Sequence, residues 1–282
     1  MPGPETSGLT DERKQMKNIV VLTGAGMSAE SGIPTFRDAT LRPDLILTWA
    51  LRPRAVLSAA HLWADFDRAE MTSTDGWNKN PARVLAWYLR ANQLTKAIRP
   101  NGGHRVIAGW QDDANVTVVT QNVDDLHERA GSRKVLHLHG SLSEFRCDTC
   151  EKVYDGTLPK VSEFQREQTP PSCGARINVT PPNCGGLIRP GAVWFGENLP
   201  QKAWKQAVAA VELADLLVVV GTSGLVHPAA GLPDFAPKGT PMIEVNPRPT
   251  PLSDRATVSL REKASVALAG LRLAEYGVLN NI

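Results

Sequence analysis

The chain has 282 residues, 42% of them apolar and 21% charged, with a formal net charge of +2. These values predict a folded protein with a sizeable core and exclude a wholly disordered chain. The small net charge disfavours nucleic acid or an anionic membrane as a partner, because both require clustered lysine and arginine. The longest apolar runs, such as Leu216–Val220, also fall far short of the ~20 residues of a membrane-spanning helix.

The first ten residues carry Pro, Gly, Ser and Thr without the apolar stretch of a secretory signal peptide. We therefore expect residues 1–16 to form a flexible tail and the protein to be cytoplasmic. In that reducing compartment, four cysteines are better explained by a metal site than by disulfides.

Short runs rich in β-branched residues recur at residues 18–23, 116–120, 134–138, 216–220 and 242–246. They are apolar throughout, which is typical of strands buried on both faces of a parallel sheet. Helical patterns lie between them, for example at 201–213, and residues 259–275 indicate a closing helix. The predicted fold class is α/β, a Rossmann-like parallel sheet that binds ligands beyond the carboxyl ends of its strands.

Two regions interrupt this alternation of strands and helices. Residues 38–103 read as helical, and residues 141–190 carry all four cysteines and many prolines. We expect both to be insertions that form a smaller domain, with helical and zinc-binding modules, within one domain at 17–282.

A glycine-rich turn at residues 24–32 follows the first predicted strand and leads into a helical pattern. Glycine there allows backbone amides to approach a pyrophosphate, whose charge the amino terminus of the helix stabilises. A tight turn without a ligand explains a lone G-x-G equally well. Ala29 stands where the usual dinucleotide fingerprint has its third glycine.

Polar side chains follow the second predicted strand, at Gln121, Asn122 and Asp124. A doubly wound sheet presents its ligand-binding groups at this end of its strands. The alternative is that Asn122 or Asp124 simply caps the next helix.

The third predicted strand ends in His137-Leu138-His139-Gly140-Ser141. A histidine in this place can serve as a general base, because its pKa lies close to neutrality. Both imidazoles point to the same face of a strand, so their spacing does not choose between them.

The cysteines lie in one segment, at Cys147, Cys150, Cys173 and Cys184. Four thiolates suit a closed tetrahedral zinc site, which supports folding and leaves no open position for catalysis. The main alternative is a redox C-x-x-C motif, which needs only two cysteines in a thioredoxin-like setting. The spacing within the second pair is much wider than the usual two to four residues.

The glycine turn continues into the string G-A-G-M-S-A-E-S-G-I-P-T-F-R at 24–37. With this string the chain resembles the sirtuin family. V-W-F-G-E at 193–197, and G-T-S at 221–223 followed by V-H-P at 226–228, extend the resemblance over most of the chain. The resemblance implies an NAD-dependent protein lysine deacylase. Such an enzyme removes acetyl or related acyl groups and releases nicotinamide and O-acyl-ADP-ribose.

The resemblance also implies the roles of individual residues. Its H-G-S pattern selects His139 as the catalytic base. The implied cofactor-binding residues are Gly24, Ala25, Gly26, Ser28, Phe36, Arg37, Gln121, Asn122, Asp124, Gly221, Thr222, Ser223, Asn246 and Ala264. The implied substrate-binding residues are Tyr88, Val193, Phe195, Gly196 and Glu197. NAD is thus expected as a co-substrate, and zinc as a structural ion.

The preferred acyl group depends on a helix predicted at 81–95. Desuccinylase-like sirtuins carry there a tyrosine and, three residues later, an arginine, so that both face one carboxylate. Tyr88 matches the tyrosine, but the third residue on is Ala91, and Arg90 lies on roughly the opposite face. The acyl preference therefore stays open, as does the effect of a lengthened segment at 40–60.

Three other functions are alternatives to deacylation. A mono-ADP-ribosyltransferase would use the same NAD site, and a non-catalytic NAD and zinc binding module would need a basic, aromatic-lined face. A dehydrogenase would be expected to keep the G-x-G-x-x-G form. His139 and the substrate strings favour deacylation of acyl-lysine proteins or peptides, with no nucleic acid or membrane partner. The oligomeric state is open.

Overall fold

The computed structural model describes residues 17–35, 67–162, 165–175 and 184–276. The predicted tail at 1–16 and the lengthened segment at 40–60 lie outside these ranges. The strands are β1 (Asn18–Thr23), β2 (Asn115–Thr120), β3 (Val135–His137), β4 (Phe145–Cys147), β5 (Ile188–Pro190), β6 (Leu216–Val220), β7 (Met242–Val245) and β8 (Val258–Leu260). The helices are α1 (Ala25–Ala29), α2 (Arg68–Met71), α3 (Thr74–Lys79), α4 (Pro81–Ala97), α5 (Gly102–Gly109), α6 (Leu126–Arg129), α7 (Gln201–Glu212) and α8 (Ala264–Gly270). Short 3-10 helices occur at Trp110–Asp112, Ala229–Phe235, Ser253–Arg255 and Leu273–Tyr276.

Within the described ranges, six parallel strands form one sheet in the order β3-β2-β1-β6-β7-β8. The chain runs outward from β1 to β3, returns to β6 beside β1, and then runs outward the other way. This is the strand order of a doubly wound, Rossmann-type sheet, and it confirms the predicted fold class.

Alternating side chains of each strand build one core on either face of the sheet. Ile19 and Val21 of β1 pack with Val218 on one face, while Val20 and Leu22 pack with the opposite set. Successive side chains of a strand point to opposite faces, so a continuous apolar run buries both. This burial is why the five predicted strands appear within a residue or so of their predicted ends.

The predicted closing helix at 259–275 is wrong in its first part. Val258–Leu260 forms the edge strand β8, and α8 follows only from Ala264. Ser259 Oγ and Arg261 Nη1 both donate to the buried carboxylate of Glu244 in β7, at 3.2 and 2.7 Å. These bonds hold the segment extended along the sheet edge.

The two predicted insertions pack against each other around a shared core. Trp77 and Tyr88, from α3 and α4, lie in one apolar cluster with Phe145 and Ile188 of the antiparallel pair β4–β5, and with Trp194. The smaller domain therefore combines helical and cysteine-bearing modules as expected, while the exact domain boundaries stay a prediction. None of the helices in the described ranges is long and apolar enough to cross a membrane.

A buried pair of histidines joins α5 to α6. The rings of His104 and His127 meet edge to face, with centroids 4.7 Å apart. His104 Nδ1 accepts the amide hydrogen of Asn101, the residue that caps α5. His127 Nε2 lies 3.1 Å from the hydroxyl oxygen of Thr23 in β1. Burial lowers the pKa of His104 to about 4 and places that of His127 well below its ordinary value.

We predict that His104 makes the folded protein less stable in acid. The unfolded chain takes up this proton near pH 6.5, whereas the folded chain resists it down to about 4. The contribution of neutral His104 to the free energy of unfolding is therefore fully present above pH 6.5 and is lost as the pH falls toward 4. Between pH 7.5 and 5 this one group should cost the folded protein about 2 kcal/mol. Denaturant unfolding at both pH values should show a smaller loss for His104→Gln than for the native chain. A matching change at exposed His227 should leave the loss unaltered. An equal acid loss in His104→Gln would contradict the assignment.

Candidate active site

The candidate site lies in the crevice where the carboxyl ends of β1 and β6 meet. Open α/β sheets bind ligands at this reversal of strand order. The Gly24 amide donates to Val220 O at 3.0 Å, and the Gly26 amide donates to Gly221 O at 2.8 Å. A Cβ on Gly26 would lie 2.7 Å from Gly221 Cα, so only glycine permits this approach. The glycines of the first loop are therefore also needed for that loop to pack against the carboxyl end of β6, called its exit below.

Three of the predicted cofactor-binding residues form one buried, hydrogen-bonded group. Asn122 Nδ2 donates to Gly24 O and to Ser28 Oγ, each at 3.1 Å. The Ser28 hydroxyl donates to Asp124 Oδ2 at 2.9 Å. Burial raises the pKa of Asp124, and the hydrogen bonds from Leu126 N and Ser28 oppose this shift only in part. The group fixes the loops after β1 and β2 relative to each other.

A second group joins the exits of β2, β6 and β7. Gln121 Nε2 donates to Thr222 Oγ1 at 3.0 Å, and Asn246 Nδ2 donates to Thr222 O at 2.8 Å. Gly221 has a φ of +63°, a conformation that favours glycine, and Ser223 follows Thr222 as a half-buried residue. The polar residues predicted from separate strings of the sequence are thus brought to one edge of the sheet.

The remaining predicted cofactor residues lie at helix starts or outside the described ranges. Ala25 begins α1, and Ala264 begins α8 as a buried residue. Ser265 donates through its amide and its hydroxyl to the Glu30 carboxylate, at 2.9 and 2.8 Å, so the start of α8 is tied to the end of α1. Phe36 and Arg37 belong to the residues that the structure leaves undescribed.

The hydrogen bonds of the two histidines distinguish them where their spacing did not. His139 Nδ1 lies 3.0 Å from Gln121 O, and a carbonyl oxygen can only accept, so Nδ1 carries the proton. No group in the described part of the chain pairs with His139 Nε2, which is therefore the basic nitrogen. Burial lowers the pKa of His139, and the bond to Gln121 opposes this only in part, so the ring is neutral near pH 7.

His137 has a hydrogen-bond acceptor at each ring nitrogen. Its Nδ1 lies 3.0 Å from Asn122 O, and its Nε2 lies 2.7 Å from Glu128 Oε1. Burial alone would lower the pKa of His137, but the hydrogen bond and the charge of Glu128 outweigh burial and raise it. Both ring nitrogens of His137 are engaged by these acceptors, whereas Nε2 of His139 has no partner among the described residues, so His139 is the better base.

A short extended segment runs beside His139. The Val193 amide donates to His139 O at 2.9 Å, and the Phe195 amide donates to Thr72 O at 3.0 Å. The Phe195 side chain is 59% exposed, and Gly196 turns the chain with a φ of +89°. Three predicted substrate-binding residues, Val193, Phe195 and Gly196, therefore lie on an accessible edge next to the candidate base.

The other two predicted substrate-binding residues make internal contacts. Tyr88 is 3% exposed, and its hydroxyl oxygen accepts a hydrogen bond from Trp194 Nε1 at 2.9 Å. Burial raises the pKa of Tyr88. The Glu197 carboxylate accepts from Arg189 and from the Trp194 amide. Both side chains therefore hold the segment in place through their hydrogen bonds to Trp194. Sequence reasoning missed Arg189, whose one signal is a charge inside an otherwise apolar run.

The four cysteines converge at one end of β4. Their sulfur atoms all lie within 4.8 Å of one another, with Cys147 and Cys184 at 3.5 Å and Cys150 and Cys173 at 3.7 Å. Zinc–sulfur bonds of about 2.3 Å in a tetrahedron place sulfurs about 3.8 Å apart, so this donor set fits zinc. Amides of Thr149 and Cys150 donate to Cys147 Sγ, as suits a thiolate.

Main-chain hydrogen bonds connect the described residues next to the two cysteines of the second pair. The Cys184 amide donates to Ala175 O at 2.9 Å, and the Cys173 amide donates to Gly186 O at 2.7 Å. Ala175 and Cys184 are thereby held next to each other beside the sulfur cluster. An insertion between the two ligands is thus compatible with the metal geometry.

The Sir2 family model matches residues 57–228, which is more than half of the chain. The chain belongs to the Sir2 family. An NAD-dependent protein deacylase of Mycolicibacterium paratuberculosis is 54% identical to this sirtuin over 263 residues, covering 93% of this chain and 99% of that protein. NAD-dependent protein deacylase 2 of Corynebacterium efficiens is 45% identical, covering 90% of this chain and 91% of that protein.

Solved structures of Sir2 proteins share the fold of this sirtuin. A Sir2 homologue in complex with NAD has a TM-score of 0.70 and 38% identity, and covers 90% of this chain and 87% of that one. A Sir2 protein with a p53 peptide and NAD⁺ has a TM-score of 0.65 and 30% identity, with coverage of 93% and 94%. The predicted family is thereby confirmed.

We predict that this sirtuin loses its zinc and much of its stability when one ligand is removed. In Cys184→Ser, a hydroxyl replaces a thiolate, so the closed site lacks its fourth sulfur ligand. Metal analysis of the purified proteins should give about one zinc per native chain and far less for the variant, with a lower melting temperature. Thr149→Ser, which keeps the amide bond to Cys147, is the matched control. A variant with full zinc content and native melting would contradict the four-cysteine site.

Proposed function

We propose that this chain is an NAD-dependent protein lysine deacylase, which removes acetyl or related acyl groups and releases nicotinamide and O-acyl-ADP-ribose. The observation that carries the proposal is the position of His139. Its ring is bonded to Gln121 O, directly after β2, and its main chain is bonded to Val193 at the accessible edge 193–196. The related proteins named above are NAD-dependent deacylases, which supports the same reaction here.

The proposed NAD site is the crevice between the exits of β1, β2, β6 and β7. Its residues are Gly24, Ala25, Gly26, Ser28, Phe36, Arg37, Gln121, Asn122, Asp124, Gly221, Thr222, Ser223, Asn246 and Ala264. When bound, NAD supplies a nicotinamide leaving group and the ADP-ribose that accepts the acyl group. The protein's own part is to fix these polar side chains in advance through the Ser28–Asn122–Asp124 and Thr222 groups.

His139 has the position and protonation state of a general base. Its Nδ1 hydrogen is held by Gln121 O, which fixes the ring and its tautomer. The lone pair on Nε2 can then take a proton from a hydroxyl group bound in the crevice. Gln121 also donates to Thr222, so the base and the NAD site share one rigid element.

The proposed substrate site is the edge formed by Val193, Phe195 and Gly196. An extended peptide can pair with such an edge through its main chain, which accommodates many sequences while one modified lysine reaches the base. We propose that Tyr88 and Glu197 act by supporting this edge. The Tyr88 hydroxyl and the Arg189 guanidinium are both engaged internally, and residue 91 is alanine, so we expect acetyl-lysine to be preferred over succinyl-lysine.

We further propose that the enzyme acts on proteins in the cytoplasm, without a nucleic acid or membrane partner. The net charge of +2 and the four-thiolate site, which needs a reducing compartment, support this. We also propose that residues 17–282 form one catalytic domain, a Rossmann-like core with insertions at about 38–103 and 141–190, and the packing of the helical and cysteine-bearing modules around Trp194 supports this division.

We predict that His139→Ala abolishes acyl-dependent nicotinamide release, while His137→Gln retains a substantial part of it. His139 offers the free basic nitrogen, whereas both nitrogens of His137 are bonded. Removal of a general base typically costs 10²–10⁴-fold in rate. The measurement follows nicotinamide by chromatography with NAD and acetyl- or succinyl-lysine peptides. Release that needs no acyl peptide would instead favour a mono-ADP-ribosyltransferase.

The pH dependence of the same reaction identifies the base independently. A base must be neutral, so the rate falls as the pH drops through its pKa. Because burial lowers the pKa of His139, the acid limb should lie below about 6.5, the ordinary value for histidine. An acid limb above that value would point to His137, whose pKa is raised, and would contradict the role of His139.

A further inference from the structure

Arg189 is a buried cation at the centre of the smaller domain. It lies in β5 and is 5% exposed. Its Nη1 and Nη2 donate to the two carboxylate oxygens of Glu197 at 2.5 and 3.1 Å. A buried charge costs several kcal/mol unless it is paired and hydrogen-bonded, so this pair must stay intact in the folded protein.

The same guanidinium shapes the chain between the two charged residues. Its Nη2 also donates to Ala192 O, and its Nε donates to Pro190 O, each at 3.2 Å. Its central carbon lies 3.3 Å from the centroid of the Trp194 ring, which is a cation–π contact. Glu197 in turn accepts the Trp194 amide at 2.8 Å. The loop at 190–197 is therefore folded around one ion pair.

Main-chain contacts hold this loop in place on the side that faces His139. The Val193 amide donates to His139 O. Gly140 has a φ of +72°, and a Cβ there would lie 2.0 Å from Gly191 O. On the other side, Trp194 Nε1 donates to Tyr88 of α4. A shift of the loop would thus move the substrate edge and the main chain of the base together.

We infer that Arg189 and Glu197 are positioning residues, whose ion pair holds the edge at 193–196 and the His139 main chain in register for the substrate. The inference rests on the proposed function. Neither side chain needs to touch substrate, because both act through the loop that they bracket. The ion pair also connects the cysteine-bearing strand pair β4–β5 to the candidate active site, since Arg189 belongs to β5.

The chemistry of the pair indicates which substitutions are informative. Arg189→Lys keeps the charge but loses the planar fork that reaches Glu197 and two carbonyl oxygens at once. Arg189→Met leaves the partly buried Glu197 carboxylate with the Trp194 amide and the more distant Arg146 as its remaining partners. The double change Arg189→Met with Glu197→Met removes both charges, and buried pairs replaced by apolar residues often keep their stability. Arg146 is the second arginine near Glu197, with its Nη2 3.9 Å from Glu197 Oε2. Arg146→Met therefore provides the matched control, since it removes an arginine beside the same carboxylate but leaves the Arg189 pair intact.

The experiment measures kcat, the KM for an acetyl-lysine peptide, the Kd for NAD, zinc content and melting temperature for these variants. We expect Arg189→Lys and the double variant to raise the peptide KM at least tenfold. Their NAD Kd should stay within twofold of native and their zinc content unchanged, and Arg146→Met should behave as native. A folded double variant with native peptide KM and kcat would overturn the inference, as would a loss of NAD affinity equal to the loss for peptide.

A second readout is independent of catalysis. Hydrogen exchange at the Val193 and Phe195 amides should be at least tenfold faster in Arg189→Lys, while amides of β6 exchange as in the native chain. Unchanged exchange at both amides would overturn the positioning role. A native protein that releases no nicotinamide would refute the proposed function instead, and the exchange rates would still decide whether the ion pair holds the loop.

Discussion

The contact between the first loop and the exit of β6 is the constraint on which the site depends. Gly26 lies against Gly221 at a separation that no side chain would allow. This contact places β1 and β6 side by side at the point where the sheet changes direction. Asn122, Gln121 and Asn246 can then join loops that lie far apart in the sequence. The crevice is thus assembled by backbone packing first and polar side chains second.

The smaller domain adds the second half of the site. Its helical and cysteine-bearing modules share one apolar core, and its loop at 190–197 meets the sheet at His139. The candidate base, His139, therefore lies where the sheet and the smaller domain meet. The four clustered sulfurs of the smaller domain would fill a tetrahedral zinc site and leave no open position for catalysis. Cys147 lies in β4, which pairs with β5, the strand that carries Arg189.

Much of this was predictable from the sequence, and the exceptions have physical causes. Strands buried on both faces, such as Leu216–Val220, are recognisable in the sequence as apolar runs. The three-residue edge strand Val258–Leu260 is not, because it depends on hydrogen bonds from Ser259 and Arg261 to Glu244. Sequence spacing could not rank His137 against His139, because the difference lies in Glu128, which a separate helix supplies. Tyr88 and Glu197 were expected at the substrate, and their internal partners follow from tertiary packing.

The central claim is that an acyl-lysine and NAD react together in this crevice. The most direct test quantifies, in one reaction, the nicotinamide released, the free-lysine peptide formed and the O-acyl-ADP-ribose produced. We predict equal amounts of all three, and none of them when either NAD or the acyl peptide is omitted. Nicotinamide release that leaves the acyl-lysine intact, with ADP-ribose attached to protein, would contradict it.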